Sequence, residues 1–180
     1  MSNLEWRYCG RYNDWIQDAV PREPFSWIDE EEARRRYQDP SVELALIPPV
    51  DELTGIIPWY ITVTTAEHPS FTVTYQQPPG VPSAKAWWKN LGDGRLFGDE
   101  AELWDYPSEH NPLLKLRQGD ALTHVVVRNR EDGSGRLMIR EKGNPRVTTA
   151  DRRFDPAPLY VPVPEWGEWD ILAAQPLPGR

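Results

Sequence analysis

In the middle of the chain, apolar residues alternate with polar ones, which is the pattern of strands that bury one face. Residues 59–65 and 71–75 both alternate large apolar side chains with threonine, and a polar break that contains Pro69 separates them. Threonine and aromatic residues favour a pleated sheet. We therefore predict that the two segments pair as an antiparallel hairpin, preceded by a strand at residues 42–47.

A second hairpin is predicted where the apolar runs 121–128 and 136–140 flank a glycine-containing turn at 131–135. Residues 98–112 are ambiguous, and within them residues 101–106 fit either a short strand or a helical turn. Residues 78–82 are expected to form a loop because they are rich in proline. Shorter apolar runs predict the remaining strands, at residues 84–91, 95–97, 159–163 and 169–172. The last two runs are edge-strand candidates, because proline is tolerated mainly at sheet edges.

The clearest helical pattern covers residues 26–37. Ser26 is a suitable N-cap, acids fill the first turn and arginines fill the last. Glutamates at 30, 31 and 32 each precede an arginine by four residues, which predicts three ion pairs along the helix. Asp39 and Pro40 are expected to end it. A weaker helical pattern lies at residues 12–20.

Helices followed by mostly antiparallel strands predict an α+β fold: a single domain over residues 1–175, with a sheet or partly open barrel and N-terminal helices packed on it. A chain of 180 residues is long enough for one full core. Residues 176–180 are expected to form a flexible C-terminal tail.

Composition narrows the class of partner. The chain carries nine tryptophans and a formal net charge of −8, and residues 1–60 hold 12 acids against 6 bases, a net of −6. An acidic half repels phosphate backbones and anionic lipid, so we expect neither nucleic-acid nor membrane binding, and a basic protein is the natural complement. Alternatively, the charge serves only solubility.

No run of 18 apolar residues occurs, and the single cysteine, Cys9, fits a reducing cytoplasm.

No catalytic, metal or cofactor motif is present. The chain lacks a GxSxG nucleophile elbow, a phosphate-binding glycine loop and an HExxH pair. His68 and His110 lie in turn-like polar segments, so no metal site and no cofactor are expected. His124 alternates with Leu122 and Val126 on one strand face, which indicates either a core histidine or a general base in a pocket.

One acidic stretch that also contains aromatic residues is the predicted partner-binding surface. Carboxylates beside exposed rings bind arginine and lysine side chains through ion pairs and cation–π contacts. A solvated acidic loop is the alternative. The predicted contact residues are Asp99, Glu100, Glu102, Trp104, Asp105, Tyr106 and Glu109.

A second candidate site is a tryptophan-lined ligand cavity. Neighbouring residues on a strand point to opposite faces, so one of Trp87 and Trp88 is expected to enter the core while the other faces solvent, a second layer or a ligand. Tyr75 and His124 are the further cavity candidates. Trp166 and Trp169 are expected to clamp the sheet edge or stack on a ligand.

Two functions remain open from the sequence. The first is a cytoplasmic, acidic protein-binding module, of the inhibitor or immunity type, that neutralises a basic toxin or enzyme. The second is a small barrel-like enzyme or carrier that binds an apolar or aromatic molecule among its tryptophans. The charge distribution and the lack of catalytic motifs favour the first, and with it a protein that is not an enzyme.

Overall fold

The computed structural model describes residues 5–13, 18–21, 26–39, 41–78, 80–108 and 116–174. Within these ranges the chain forms thirteen strands and two α-helices. The strands are β1 (Arg7–Cys9), β2 (Tyr12–Asn13), β3 (Asp18–Ala19), β4 (Trp27–Ile28), β5 (Leu44–Ile47), β6 (Trp59–Val63), β7 (Phe71–Gln77), β8 (Val81–Asn90), β9 (Arg95–Asp105), β10 (Thr123–Asn129), β11 (Ser134–Glu141), β12 (Val147–Arg153) and β13 (Tyr160–Pro162). The helices are α1 (Glu30–Gln38) and α2 (Asp170–Ala173).

Eleven of the strands form one open antiparallel sheet. Its order is β12-β11-β10-β9-β8-β7-β6-β5-β1-β4, and β13 pairs with the start of β9 on the same edge that β10 uses further along. β2 and β3 form a separate two-stranded hairpin. The structure is therefore α+β with a mainly antiparallel, unclosed sheet, as the sequence predicts.

The predicted hairpins form because their apolar residues occupy every second position. In the β6–β7 pair, Ile61 lies opposite Val73, and both are fully buried. The β10–β11 pair aligns Val127 with Leu137 across the turn that the sequence predicts. Both hairpins are local in sequence, so pattern and turn chemistry are sufficient to set their register.

One face of the sheet carries the main core. It is covered by α1 through Ala33 and by the C-terminal segment through Trp169 and Leu172, all at 0% exposure. On the opposite face, a smaller cluster around Cys9 and Tyr60 lies beneath the β2–β3 hairpin. The segment after β13 is thus part of the core.

The first helix begins later than predicted. Trp27–Ile28 pairs with β1 as strand β4, and α1 begins at Glu30 with Asp29 as its N-cap, whose Oδ1 accepts a hydrogen bond of 2.8 Å from the Glu32 amide. Ser26 is therefore not the cap. The structure confirms the ion pairs Glu30–Arg34 (3.2 Å) and Glu32–Arg36 (2.7 Å).

The third predicted pair is replaced by a different one. Arg35 bonds to Glu32 at 2.7 Å and not to Glu31. Because Glu32 accepts hydrogen bonds from both Arg35 and Arg36, its pKa is lowered to about 2. The helix ends at Gln38, with Asp39 as its C-cap, near the predicted stop.

Several other elements differ from their predictions. The helix expected at 12–20 is wrong, since its described ends form β2 and β3, and residues 169–172 lie mostly in helix α2 instead of a strand. β8 already begins at Val81, inside the predicted loop, and β9 runs unbroken through the ambiguous residues 98–105.

The predicted tail at 176–180 lies outside the described residues. Among the described helices, none is long and apolar enough to cross a bilayer.

Replacing the observed N-cap tests the corrected start of α1. We expect Asp29→Ala to lower the free energy of unfolding by about 1 kcal/mol, because the Glu32 amide loses its acceptor. Asp29→Asn is the matched control, since asparagine caps about as well as aspartate, and it should leave stability nearly unchanged. Urea denaturation measures both, and equal losses in the two variants would argue for a charge effect instead of a cap.

Candidate functional site

An aromatic cleft of about 730 Å³ opens where strands β1 and β4 meet the segment that follows β13. Its aromatic lining comes from three distant parts of the sequence, which the sheet and the core bring together. The aromatic cleft is lined by the rings of Trp6, Tyr8, Trp27, Trp166 and Trp169. The carboxylates of Glu5, Asp29 and Glu30 also line it, together with the guanidinium of Arg7.

Pairing of β1 with β4 places Tyr8 opposite Ile28 on the main-core face, and Cys9 opposite Trp27 on the other face, where Trp27 Nε1 donates to Asp18 Oδ1 at 2.7 Å. The cleft therefore wraps around the edge of the sheet, with Trp27 on one side and Tyr8 and Trp166 on the other. The turn into α1 then sets Asp29 and Glu30 at the same end of the sheet. Acids at a helix N-terminus are favoured by the helix dipole. Two of the three carboxylates of the cleft, those of Asp29 and Glu30, thus belong to the residues that start the helix.

Trp166 joins the C-terminal segment to this end of the sheet. Its ring stacks on Tyr8 at 5.5 Å and meets Trp169 edge-on at 5.3 Å, while its Nε1 donates to Glu30 Oε1 at 3.2 Å. Tyr37 of α1 donates its hydroxyl hydrogen to the Pro164 carbonyl oxygen at 2.5 Å. Trp166 therefore packs against β1, the strand next to the sheet edge, and Trp169 packs in the main core, while stacking of either ring on a ligand stays a prediction.

Two of the indole rings in the cleft already hold guanidinium groups of this chain. The Arg7 guanidinium carbon lies 3.7 Å from the ring centre of Trp27, and that of Arg34 lies 5.2 Å from the ring centre of Trp166. Trp6, Trp27 and Trp166 remain half-buried, in contrast to Trp169. The cleft therefore combines partly accessible ring surface with carboxylates, which is the chemistry that binds organic cations.

Burial and nearby charge act on the tyrosines around the cleft. Burial, followed by the negative field of Glu30, raises the pKa of Tyr8. Burial alone raises the pKa of Tyr37 to about 12. Both hydroxyls therefore stay neutral at ordinary pH, and that of Tyr37 acts as a hydrogen-bond donor.

The predicted acidic surface lies mainly in strand β9 and not in an exposed loop. Two of its carboxylates are engaged across the sheet: Glu100 Oε2 accepts from Arg128 Nε at 2.7 Å, and Glu102 Oε2 lies 3.0 Å from His124 Nε2. Asp105 is exposed, whereas Asp99 is partly buried, and its pKa is raised by burial. Glu109 lies outside the described residues.

The two aromatic residues of that stretch are buried. Trp104 is 9% exposed and stacks on His124 at 5.1 Å with the planes 5° apart. Tyr106 is 8% exposed and donates to the Pro82 carbonyl oxygen at 2.8 Å. Contact of this stretch with a partner stays a prediction, but its rings offer little surface.

The four predicted cavity residues are not brought together. Trp88 is 1% exposed in the main core, where it lies across from Phe71, while Trp87 projects from the other face of β8 and is only half-buried. This confirms that one indole enters the core, but the two rings cannot line one cavity. Tyr75 bonds to the Ala173 carbonyl oxygen at 3.2 Å, and His124 is held between Glu102 and Trp104.

Sequence reasoning did not single out Trp6, Tyr8 and Trp27 as site residues. Tyr8 and Trp27 lie in strands of two or three residues, and Trp6 directly precedes one, so these segments carry too few positions for a periodic signal. The only available indication was composition, because the first 60 residues combine aromatic residues with the strongest negative charge. In the described part of the chain, no group of three or more His, Cys, Asp and Glu side chains is placed to hold a metal ion.

Trp104 can be tested directly as a core residue. We expect Trp104→Ala to lower the free energy of unfolding by about 3 kcal/mol, because a large buried ring and its contact with His124 are lost. Trp87→Ala removes a half-exposed indole from the neighbouring strand and should cost clearly less. Urea denaturation of the two variants measures the difference. If the Trp104→Ala protein were as stable as the parent, Trp104 would not act as a core residue and would again be a candidate for surface contact.

Cys9 is expected to be unreactive in the folded protein. Burial raises the pKa of its thiol from 9.0 to about 12, so at about pH 8 its thiolate fraction falls roughly 1000-fold. The raised pKa adds stability that is present below pH 9 and is lost as the pH rises towards 12. Iodoacetamide labelling followed by mass spectrometry should be far slower in buffer than in urea. Equal rates would show that Cys9 is accessible.

Comparison with known proteins gives no relative for this chain: no family model, no curated protein and no solved structure matches it. The function is therefore inferred from the geometry of the described residues.

Proposed function

We propose that this protein is an acidic protein-binding module, of the inhibitor or immunity type, that binds a basic partner at the aromatic cleft. The observation that carries the proposal is the placement of half-buried indoles beside carboxylates, with guanidinium groups already lying over two of the rings. An arginine or lysine of a partner would find the same two interactions there.

Charge supports this choice of partner. Three carboxylates and one guanidinium line the aromatic cleft, and the first 60 residues carry a net charge of −6. A negative surface attracts a basic protein over a distance of about one Debye length, roughly 8 to 10 Å at physiological salt, and speeds its association. Tryptophan at the centre of a contact then contributes most to its lifetime.

The aromatic cleft is a better contact surface than the stretch from Asp99 to Tyr106. The carboxylates of Glu100 and Glu102 already bond to Arg128 and His124, and Trp104 is buried. A partner would have to break those internal contacts to use them. In the cleft, Asp29 caps α1 and Glu30 pairs with Arg34, but Glu5 is exposed and forms no ion pair with any residue that the structure describes.

An arginine-rich peptide is the simplest probe of the aromatic cleft. We expect it to bind with an affinity that falls as salt rises, and Trp27→Ala should weaken binding by about 2 kcal/mol, because a ring that stacks on guanidinium groups is removed. Trp87→Ala is the matched control, since Trp87 is a half-buried indole outside the cleft. Calorimetric titration measures all three proteins.

The contribution of charge to peptide association is tested with a second pair of variants. Glu5→Lys reverses a charge in the cleft and should slow association of the peptide, whereas Glu52→Lys makes the same change in an exposed turn and should have a smaller effect. The proposal fails if both tryptophan variants, once shown to be folded by their melting curves, bind the peptide as the parent does. It also fails if the two charge variants cannot be distinguished.

A further inference from the structure

An arginine cleft lies at the other end of the sheet, where the β10–β11 turn meets the end of β12. Five arginines line this opening of about 740 Å³: Arg128, Arg130, Arg136, Arg152 and Arg153. Residues 123–153 hold eight basic and four acidic residues, a net of +4 in a chain of net charge −8. The charge of this region is therefore opposite in sign to the charge of the whole chain.

The carboxylates in the arginine cleft do not neutralise it. Arg128 and Arg136 bond to Glu100 (2.7 Å) and Asp151 (3.1 Å) through Nε alone, and their side chains stay 61% and 59% exposed. In the part of the chain that the structure describes, neither Arg130 nor Arg153 forms an ion pair. Guanidinium donors therefore remain available on four of the five arginines.

The third acid of the lining is Asp99. It is partly buried, its Oδ1 is inaccessible to water, and burial raises its pKa. Three carboxylates therefore face five guanidinium groups in the lining. The electrostatic balance of the cleft is accordingly positive.

The arginines are attached to a rigid turn. Gly133 has a φ of +76°, a Cβ there would lie 2.7 Å from the Phe154 carbonyl oxygen, and the Phe154 amide donates to the Gly133 carbonyl at 3.0 Å. Arg152 donates to Asn129 Oδ1 at 3.2 Å, and Asn129 is itself buried and bonded to the Gly98 carbonyl. The backbone that carries the guanidinium groups is therefore held before any ligand arrives, which lowers the entropic cost of binding.

From this geometry we propose that the arginine cleft binds a small, phosphate-bearing molecule. Planar guanidinium groups pair with phosphate oxygens through two parallel hydrogen bonds, and they do so better than lysine. The volume falls within the range of small-molecule sites. The site is independent of the proposed basic partner, because the sheet order places β10–β12 and the β1–β4 pair at opposite ends.

The probe for this site is inorganic pyrophosphate, which is titrated by calorimetry without divalent cations. The ionic strength is held constant within each titration and raised between titrations. We expect saturable binding of one pyrophosphate per chain, weaker binding at higher salt, and much weaker binding of sulfate. The double variant Arg130→Gln with Arg153→Gln should bind at least about 10-fold more weakly, because two unpaired donors are lost.

The matched control removes the same charge elsewhere in the β10–β12 region, since Arg140 lies in β11 and Arg146 just before β12. Arg140→Gln with Arg146→Gln changes two exposed arginines outside the arginine cleft and should leave binding within about 2-fold of the parent. If the cleft double variant does not fold, Arg153→Lys keeps the charge without the fork and should still weaken binding. No saturable binding, equal losses in both double variants, or binding of an acidic peptide without pyrophosphate would each overturn the proposal.

Discussion

The packing of Trp169 against Tyr37 and Trp166 is the contact on which the rest of the structure depends. Trp169 is fully buried, with its ring centre 5.0 Å from that of Tyr37 and 5.3 Å from that of Trp166. This contact joins α1, the sheet and the C-terminal segment into one core. Because Trp166 also stacks on Tyr8, the packing that closes the core also forms the aromatic cleft.

Charge is sorted along the sheet. Carboxylates and indoles collect where β1 and β4 form one end, and arginines collect where β10–β12 form the other. At the arginine end, the ion pair of Glu100 with Arg128 and the contact of Glu102 with His124 join neighbouring strands and compensate part of the local charge. The two ends of the sheet carry the charge that other molecules encounter.

Sequence patterns predicted the elements whose signal is local. The β6–β7 and β10–β11 hairpins follow from alternating residues and nearby turns, and the antiparallel α+β class follows from them. The start of α1 was misplaced because Ser26 and Asp29 are both good caps. Pairing of Trp27–Ile28 with β1 excluded Ser26, and that pairing joins residues far enough apart that periodicity carries no trace of it.

The sequence by itself determined the sheet-rich class, the negative first half and the high tryptophan content of nine residues in 180. Only the tertiary structure decided which aromatic residues remain at the surface. Trp104, set among acids in the sequence, is buried by its neighbours across the strands, whereas Trp6, Tyr8 and Trp166 meet from opposite ends of the chain. Exposure and charge compensation depend on partners distant in sequence, and local propensity does not encode those contacts.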